Sequence, residues 1–267
     1  MKIGKLKAWP FAAVPVVLLA AMIIARAQAY DVVTVTGGGA IEGKIVFRGT
    51  GPTRKIIPSK DVEVCGAPRE DPLIEVGPDQ GVQNAVVYLA QIEQGKDWPP
   101  PGKPAELDNL HCRFVPEVQV IRTGPLVIVN SDPVLHNAHG YYDRRPLFNV
   151  ALPQEGQRIP TEVPRPGVVR IDCNEHGWML GWIYAVANPY YAITGADGKF
   201  TIGDVPPGEY TLIIWQAYIG EAKRKVTVTA GKATELALEI TSAGELKRLR
   251  QRHAARQRER VLVAKVA

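Results

Sequence analysis

The chain has 267 residues, with 25 glycines, 22 prolines, 3 cysteines and 46% hydrophobic residues. That is long enough for one large or two small domains with real cores, and too apolar and too evenly mixed for a disordered or collagen-like chain. The formal net charge of +5 resides at the ends: 30–241 holds 20 basic against 25 acidic residues, while 242–267 holds eight against two, which excludes a basic nucleic-acid-binding body.

In chain order, residues 1–29 read as an export signal. Lys2, Lys5 and Lys7 precede an apolar run over 8–25, and the small residues Ala27 and Ala29 suit cleavage before Tyr30. The rival reading is an uncleaved membrane anchor, but the run is short for a span and contains Pro10 and Pro15. Either reading puts the rest of the chain outside the cytoplasm, in the periplasm or secreted. No cysteine follows the run, which argues against lipid attachment there.

From residue 30 to 241 the pattern is that of short strands separated by Gly, Pro and Asp-Gly. The predicted strands are 40–47, 84–90, 116–122, 125–130, 167–173, 181–187, 199–205, 209–216, 224–230 and 234–240. Strands this short and frequent imply an all-β sandwich architecture. The proline-rich stretch 96–109 reads as a connection. The tail 242–267 reads as a basic helix with too few apolar positions for a core-facing stripe.

Two turns punctuate the C-terminal part. In "GADGKFTI", Asp197-Gly198 is expected to form a tight hairpin turn; in "VPPGEYTLIIW", Pro206-Pro207-Gly208 forms a second turn before a buried strand. Together with "IEGKIVF" and "NAVVYLA" these motifs resemble the carboxypeptidase regulatory-like, or transthyretin-like, β-sandwich. That resemblance implies no peptidase activity, since such domains are non-catalytic. Its first part with a linker would occupy 30–111 and its remainder 189–241, leaving 112–188 as a second unit. Insertion of that unit into the first sandwich is the favoured arrangement, and two domains in tandem the alternative.

The unit 112–188 carries the chemistry. "CNEHGWM", residues 173–179, places Cys173, His176 and Met179 three apart on a loop between two late strands, and "LHNAH" upstream supplies His136. Thiolate and thioether are soft donors that suit Cu(I), two imidazoles suit both oxidation states, and His₂Cys with a weak axial Met lets copper cycle with little rearrangement. The arrangement resembles the cupredoxin family, with the short Cys-x-x-His-x-x-Met loop of amicyanin. The resemblance covers about 75 residues. It implies a Greek-key sandwich, one type 1 copper ion held by His136, Cys173, His176 and Met179, and a supporting role for Asn137 in hydrogen-bonding the ligand loop. It departs from the family in having Leu135 where small cupredoxins often have Pro, and in being short, so that the sandwich would borrow strands from its surroundings. His139, three residues on, is the competing first imidazole; a metal-free shell is the competing reading of the whole site.

With Cys173 assigned to the metal, an exported chain most simply pairs Cys65 with Cys112. Trp182 reads as packing, and Trp178 as a residue exposed beside the metal. The neighbours of His176 suit an exposed imidazole through which electrons would pass. No catalytic constellation can be built. The expected function is an exported one-electron carrier with redox donor and acceptor proteins as partners, the alternative a non-catalytic envelope scaffold with a structural, stored or lost metal. The tail is either a solvated end or an attachment to an acidic partner or an anionic membrane surface; nucleic acid is not expected.

Overall fold

The computed structural model of the protein describes residues 30–100 and 102–241. The expected export signal and the expected basic helix lie outside the described residues. Within them the chain is all β, apart from a single helical turn, Val62–Cys65, and a short 3₁₀ turn, Pro78–Gln80.

The first pair of sheets draws on both sides of the stretch 105–186. Gly39–Arg48 is the middle strand of a three-stranded sheet. It runs antiparallel to Lys199–Val205, with Thr201 opposite Glu42, and parallel to Ala233–Thr241, with Ile45 opposite Leu238. The facing sheet has the order Tyr191–Ile193, Val86–Ala90, Gly208–Gln216, Gly220–Val228. The alternation that a half-buried strand requires is visible in Gly39–Arg48, where Ile41, Ile45 and Phe47 point inward and Glu42 and Arg48 outward. They meet Leu89, Tyr190, Leu212 and Ile214 in a closed core, each such side chain contributing about 1.5–3 kcal/mol on burial.

The Asp197-Gly198 turn is not a hairpin. Tyr191–Ile193 precedes it in the four-stranded sheet and Lys199–Val205 follows it in the three-stranded one. It is therefore a corner between sheets. Gly198 has φ +73°, and a Cβ there would lie 2.3 Å from the carbonyl oxygen of Ile45. The corner is held by Asp197, whose Oδ1 accepts the amide of Lys199 at 3.0 Å.

The second pair of sheets begins earlier than the sequence pattern indicates. Part of the stretch expected as a connection, Ala105–Leu110, is a strand, lying parallel to Gly124–Asn130 with Leu107 opposite Ile128. Leu107 and Asn109 are fully buried, so burial on one face overrides the unpromising composition of "AELDNL". This sheet has the order Arg158–Val163, Gly124–Asn130, Ala105–Leu110, Arg113–Val115. The opposing five-stranded sheet has the order Arg145–Leu152, His136–Tyr142, Gly167–Asp172, Leu180–Val186, Val118–Arg122. Leu107, Leu126, Ile128, Leu152, Ile171 and Ile183 close the core between them.

A third apolar layer joins the two pairs. The outer face of the five-stranded sheet offers Trp182, Tyr184 and Val186 to Val86, Tyr88 and Trp215 of the four-stranded sheet. The ring centroids of Trp182 and Tyr184 each lie 5.6 Å from that of Trp215 in edge-on contact. The four sheets thus stack in one pile, with the chain crossing the middle layer twice. Trp215 touches two rings of the neighbouring sheet and is 6% exposed, so Trp215→Ala is expected to lower stability by about 3–5 kcal/mol, measured by denaturant unfolding.

Candidate metal centre

The loop 173–179 joins neighbouring antiparallel strands, Gly167–Asp172 and Leu180–Val186, in which Asp172 lies opposite Leu180. Seven residues between directly paired positions must bulge from one end of the sheet. The amide of Met179 donates to the carbonyl of His176 at 2.8 Å and tightens that bulge. On the other side of Gly167–Asp172 lies His136–Tyr142, where His139 is opposite Asp172. His136 therefore opens its strand at the same end of the sheet. It does not sit at the end of Gly124–Asn130, which belongs to the opposing sheet.

This placement brings three donors together. Cys173 Sγ lies 3.9 Å from His136 Nδ1 and 3.8 Å from His176 Nδ1, and the two Nδ1 atoms are 3.1 Å apart. Both imidazoles are fully buried, and Cys173 is 2% exposed. Met179, 3% exposed, belongs to the same buried cluster as Cys173.

A carboxylate stands behind each ring. His136 Nε2 is 2.8 Å from Asp132 Oδ2, and His176 Nε2 is 2.9 Å from Asp61 Oδ2. An ionised carboxylate only accepts, so each Nε2 carries the proton and each Nδ1 presents a lone pair to the common point. Asp132 is itself fixed, accepting the amides of His111 at 2.7 Å and Cys112 at 2.9 Å. Burial holds His136 below its ordinary pKa range, against the opposing pull of Asp132. Burial likewise pushes the Cys173 thiol up, against the amide of Asn137, which donates to Cys173 Sγ at 3.4 Å. The Asn137 side chain ties the neighbourhood: Nδ2 donates to Asn149 Oδ1 at 2.6 Å, and Oδ1 accepts the amide of Asn174 at 3.4 Å.

Two sequence-based expectations change here, and the placement of the rival histidine is clear. His176 is sealed, not exposed, because the segment around Asp61 lies over it. Trp178 is half-buried, its ring 5.1 Å from that of His176 and its Nε1 buried without a partner among the described residues. His139 faces away from the donors, as an offset of three along a strand requires; it stacks on Tyr141 at 4.1 Å, with Tyr141 Oη 2.7 Å from its Nδ1. His139→Ala is accordingly expected to leave a Cu(II) absorption band unchanged, while His136→Ala removes it. Cys65 and Cys112 are joined in a disulfide, whose sulfurs lie within 4.8 Å of a ligating atom of His176. Sequence reasoning missed Asp132 and Asp61. Asp132 stands four residues before a candidate ligand, which is a usable signal; Asp61 is 115 residues from His176, with no local sign of its role.

The donor set fits a metal ion. With metal–nitrogen bonds of about 2.0 Å and a metal–sulfur bond of about 2.3 Å, donors around one ion stand roughly 3.3–3.7 Å apart, within a few tenths of an ångström of the three separations above. Two lone pairs facing each other at 3.1 Å in a buried site repel unless a cation or proton lies between them. One cysteine sulfur and two imidazoles, with the thioether of Met179 buried in the same cluster, form a soft, mixed set that suits copper better than magnesium or calcium.

A family model described as polysaccharide lyase family 4, domain II, matches residues 175–236, from the ligand loop through the last part of the first pair of sheets. The probable rhamnogalacturonate lyase A of Aspergillus flavus is 39% identical over 57 residues, which are 21% of this chain and 11% of that protein. Rhamnogalacturonate lyase A of Aspergillus aculeatus is 37% identical over 57 residues, with the same two shares. The chain thus spans about a tenth of the length of the curated relatives it matches. Among solved structures, a purple cupredoxin from Nitrosopumilus maritimus is similar over 31% of this chain and 99% of its own, at 22% identity and a TM-score of 0.28. Amicyanin from Paracoccus versutus is similar over 32% of this chain and 84% of its own, at 13% identity and a TM-score of 0.29.

Proposed function

We propose that this chain would hold one copper ion through His136 Nδ1, His176 Nδ1 and Cys173 Sγ, with the Met179 thioether as a further donor, and works outside the cytoplasm as a one-electron carrier rather than an enzyme. The observation that carries the reading is the convergence of the three donor atoms, 3.1–3.9 Å apart, in a buried pocket. Bound there, copper supplies a one-electron couple. The protein's part is to keep the donors fixed in both oxidation states. Asp132 and Asp61 set the tautomers, and the Asn137 amide on the sulfur and the Asn137–Asn174 bond hold the loop. The disulfide supports an oxidising compartment.

Redox donor and acceptor proteins are the partners this reading requires. An acidic protein or an anionic membrane surface is the partner proposed for the basic residues of 242–267. The test is to add one equivalent of Cu(II) to the purified mature chain. An intense visible band from thiolate-to-metal charge transfer supports the reading; a colourless protein overturns it. The second reading, a non-catalytic binding or scaffold module with a structural or stored metal, is favoured by one observation: His176 has no exposed edge. A protein that binds Cu(I) tightly and stays colourless with a mild oxidant would establish that reading instead.

A further inference from the structure

The segment Lys60–Gly66 is far from the donors in sequence and covers them in space. Asp61 has left-handed backbone, φ 51° and ψ 42°, a region that a residue with a Cβ occupies only when its surroundings hold it there. An aspartate just before a helical turn ordinarily caps that turn's amides. Asp61 makes no such bond; its carboxylate is turned to His176 Nε2 at 2.9 Å. Two further ties hold the segment down: an ion pair from Lys60 to Glu175 of the ligand loop, and the disulfide from Cys65 to Cys112. Cys112 lies beside the amide-to-Asp132 contacts that fix His136. One short stretch is thus tied to the ligand loop, to a ligand and to the hairpin that supports the other ligand.

We propose that Asp61 is a positioning residue of the centre. Carried on a lid that the disulfide latches, it holds His176 in the Nε2–H tautomer, seals the ring from solvent, and places a fixed negative charge that favours the oxidised ion. This rests on the copper reading for its last part only. A divalent ion with one thiolate leaves a net positive centre, and one added electron makes it neutral. A carboxylate one imidazole away therefore stabilises the oxidised form more than the reduced form. Asp132 has the same relation to His136 but is buried and bound by two amides. Asp61 has a side chain 25% exposed, on a segment that belongs to neither sheet of the pair around the donors.

The test uses the full mature chain and two variants. Asp61→Asn keeps the acceptor oxygen and removes the charge; Asp61→Ala removes both. In metal-free protein, Cys173 is the one free thiol among the described residues, and its reaction with 5,5′-dithiobis(2-nitrobenzoate) reports lid opening. Asp61→Ala is expected to speed that reaction about tenfold or more, the equivalent of one charge-assisted hydrogen bond lost from the closed state. Asp61→Asn, which keeps a neutral hydrogen bond in place of the charge-assisted one, is expected to fall between wild type and Asp61→Ala. In copper-loaded protein, Asp61→Asn is expected to keep the visible band and raise the midpoint potential. Unchanged thiol reactivity in Asp61→Ala overturns the lid, and an unchanged or lowered potential in Asp61→Asn overturns the charge effect. Should Asp61→Ala fail to fold, Lys60→Ala carries the same thiol measurement. A wild-type chain that takes up no coloured Cu(II) overturns the copper reading and the charge effect with it, and the thiol measurement then decides the lid alone.

Discussion

Cys173→Ser is expected to abolish the Cu(II) visible band and to weaken copper binding by more than about a hundredfold, beyond the 10–100-fold typical of changes outside the ligand set. The band requires a sulfur orbital as electron donor, and a serine hydroxyl provides neither that orbital nor an anion at neutral pH. The fold should persist. Cys173 is buried at the edge of a core that Ile171, Ile183 and Leu152 dominate, and serine is close to it in shape. Absorption spectra and a calorimetric Cu(II) titration of both proteins make the comparison. Retention of the band in the variant would show that the thiol is not a ligand. Retention of tight but colourless binding would point to the storage reading.

Opening the disulfide should have the largest effect on stability. Cys65 and Cys112 are separated by 47 positions, and the entropy of closing a loop of that length in the unfolded chain corresponds to about 4 kcal/mol. Set against a total of about 5–15 kcal/mol for a typical domain, that is a large share. The variant Cys65→Ser/Cys112→Ser is therefore expected to unfold at markedly lower guanidinium concentration, and wild-type protein treated with a dithiol should behave like it. The location adds a local effect to the global one. The bridge joins the segment that carries Asp61 to the hairpin tip at His111–Cys112, whose amides hold Asp132. Its loss loosens the support of both imidazoles at once. A double-serine variant with an unchanged unfolding midpoint would mean that the unfolded chain is already compact between these positions.

Much of the fold was legible because alternation is local. Gly39–Arg48 and Lys199–Val205 announce themselves through inward Ile and Phe at alternate positions, and Gly208–Gln216 through a continuous apolar run, Leu212 to Trp215, buried on both faces. Several strands were not foreseen, Arg145–Leu152 and Arg158–Val163 among them, and two show why. Ala105–Leu110 has a composition that suits loops and becomes a strand only because Gly124–Asn130 lies beside it. His136–Tyr142, "HNAHGYY", carries two glycine- or alanine-sized positions and two histidines where a strand pattern would show branched residues; the packing of Phe148 over Gly140 fills the gap. The Asp197-Gly198 turn was legible as a turn but not as a corner, since a turn's local chemistry is the same whether the next strand returns to its own sheet or crosses to the facing one.

The amino-acid sequence by itself determined the all-β class, the positions of about half of the strands and the donor chemistry of the 173–179 loop, because each depends on residues that are neighbours along the chain. Only the tertiary structure decided which histidine faces the sulfur, that strands from both sides of 105–186 share sheets, and that a carboxylate from residue 61 closes the pocket over His176. Those are contacts between residues many tens of positions apart, set by strand order and sheet stacking. No spacing rule along a chain encodes them.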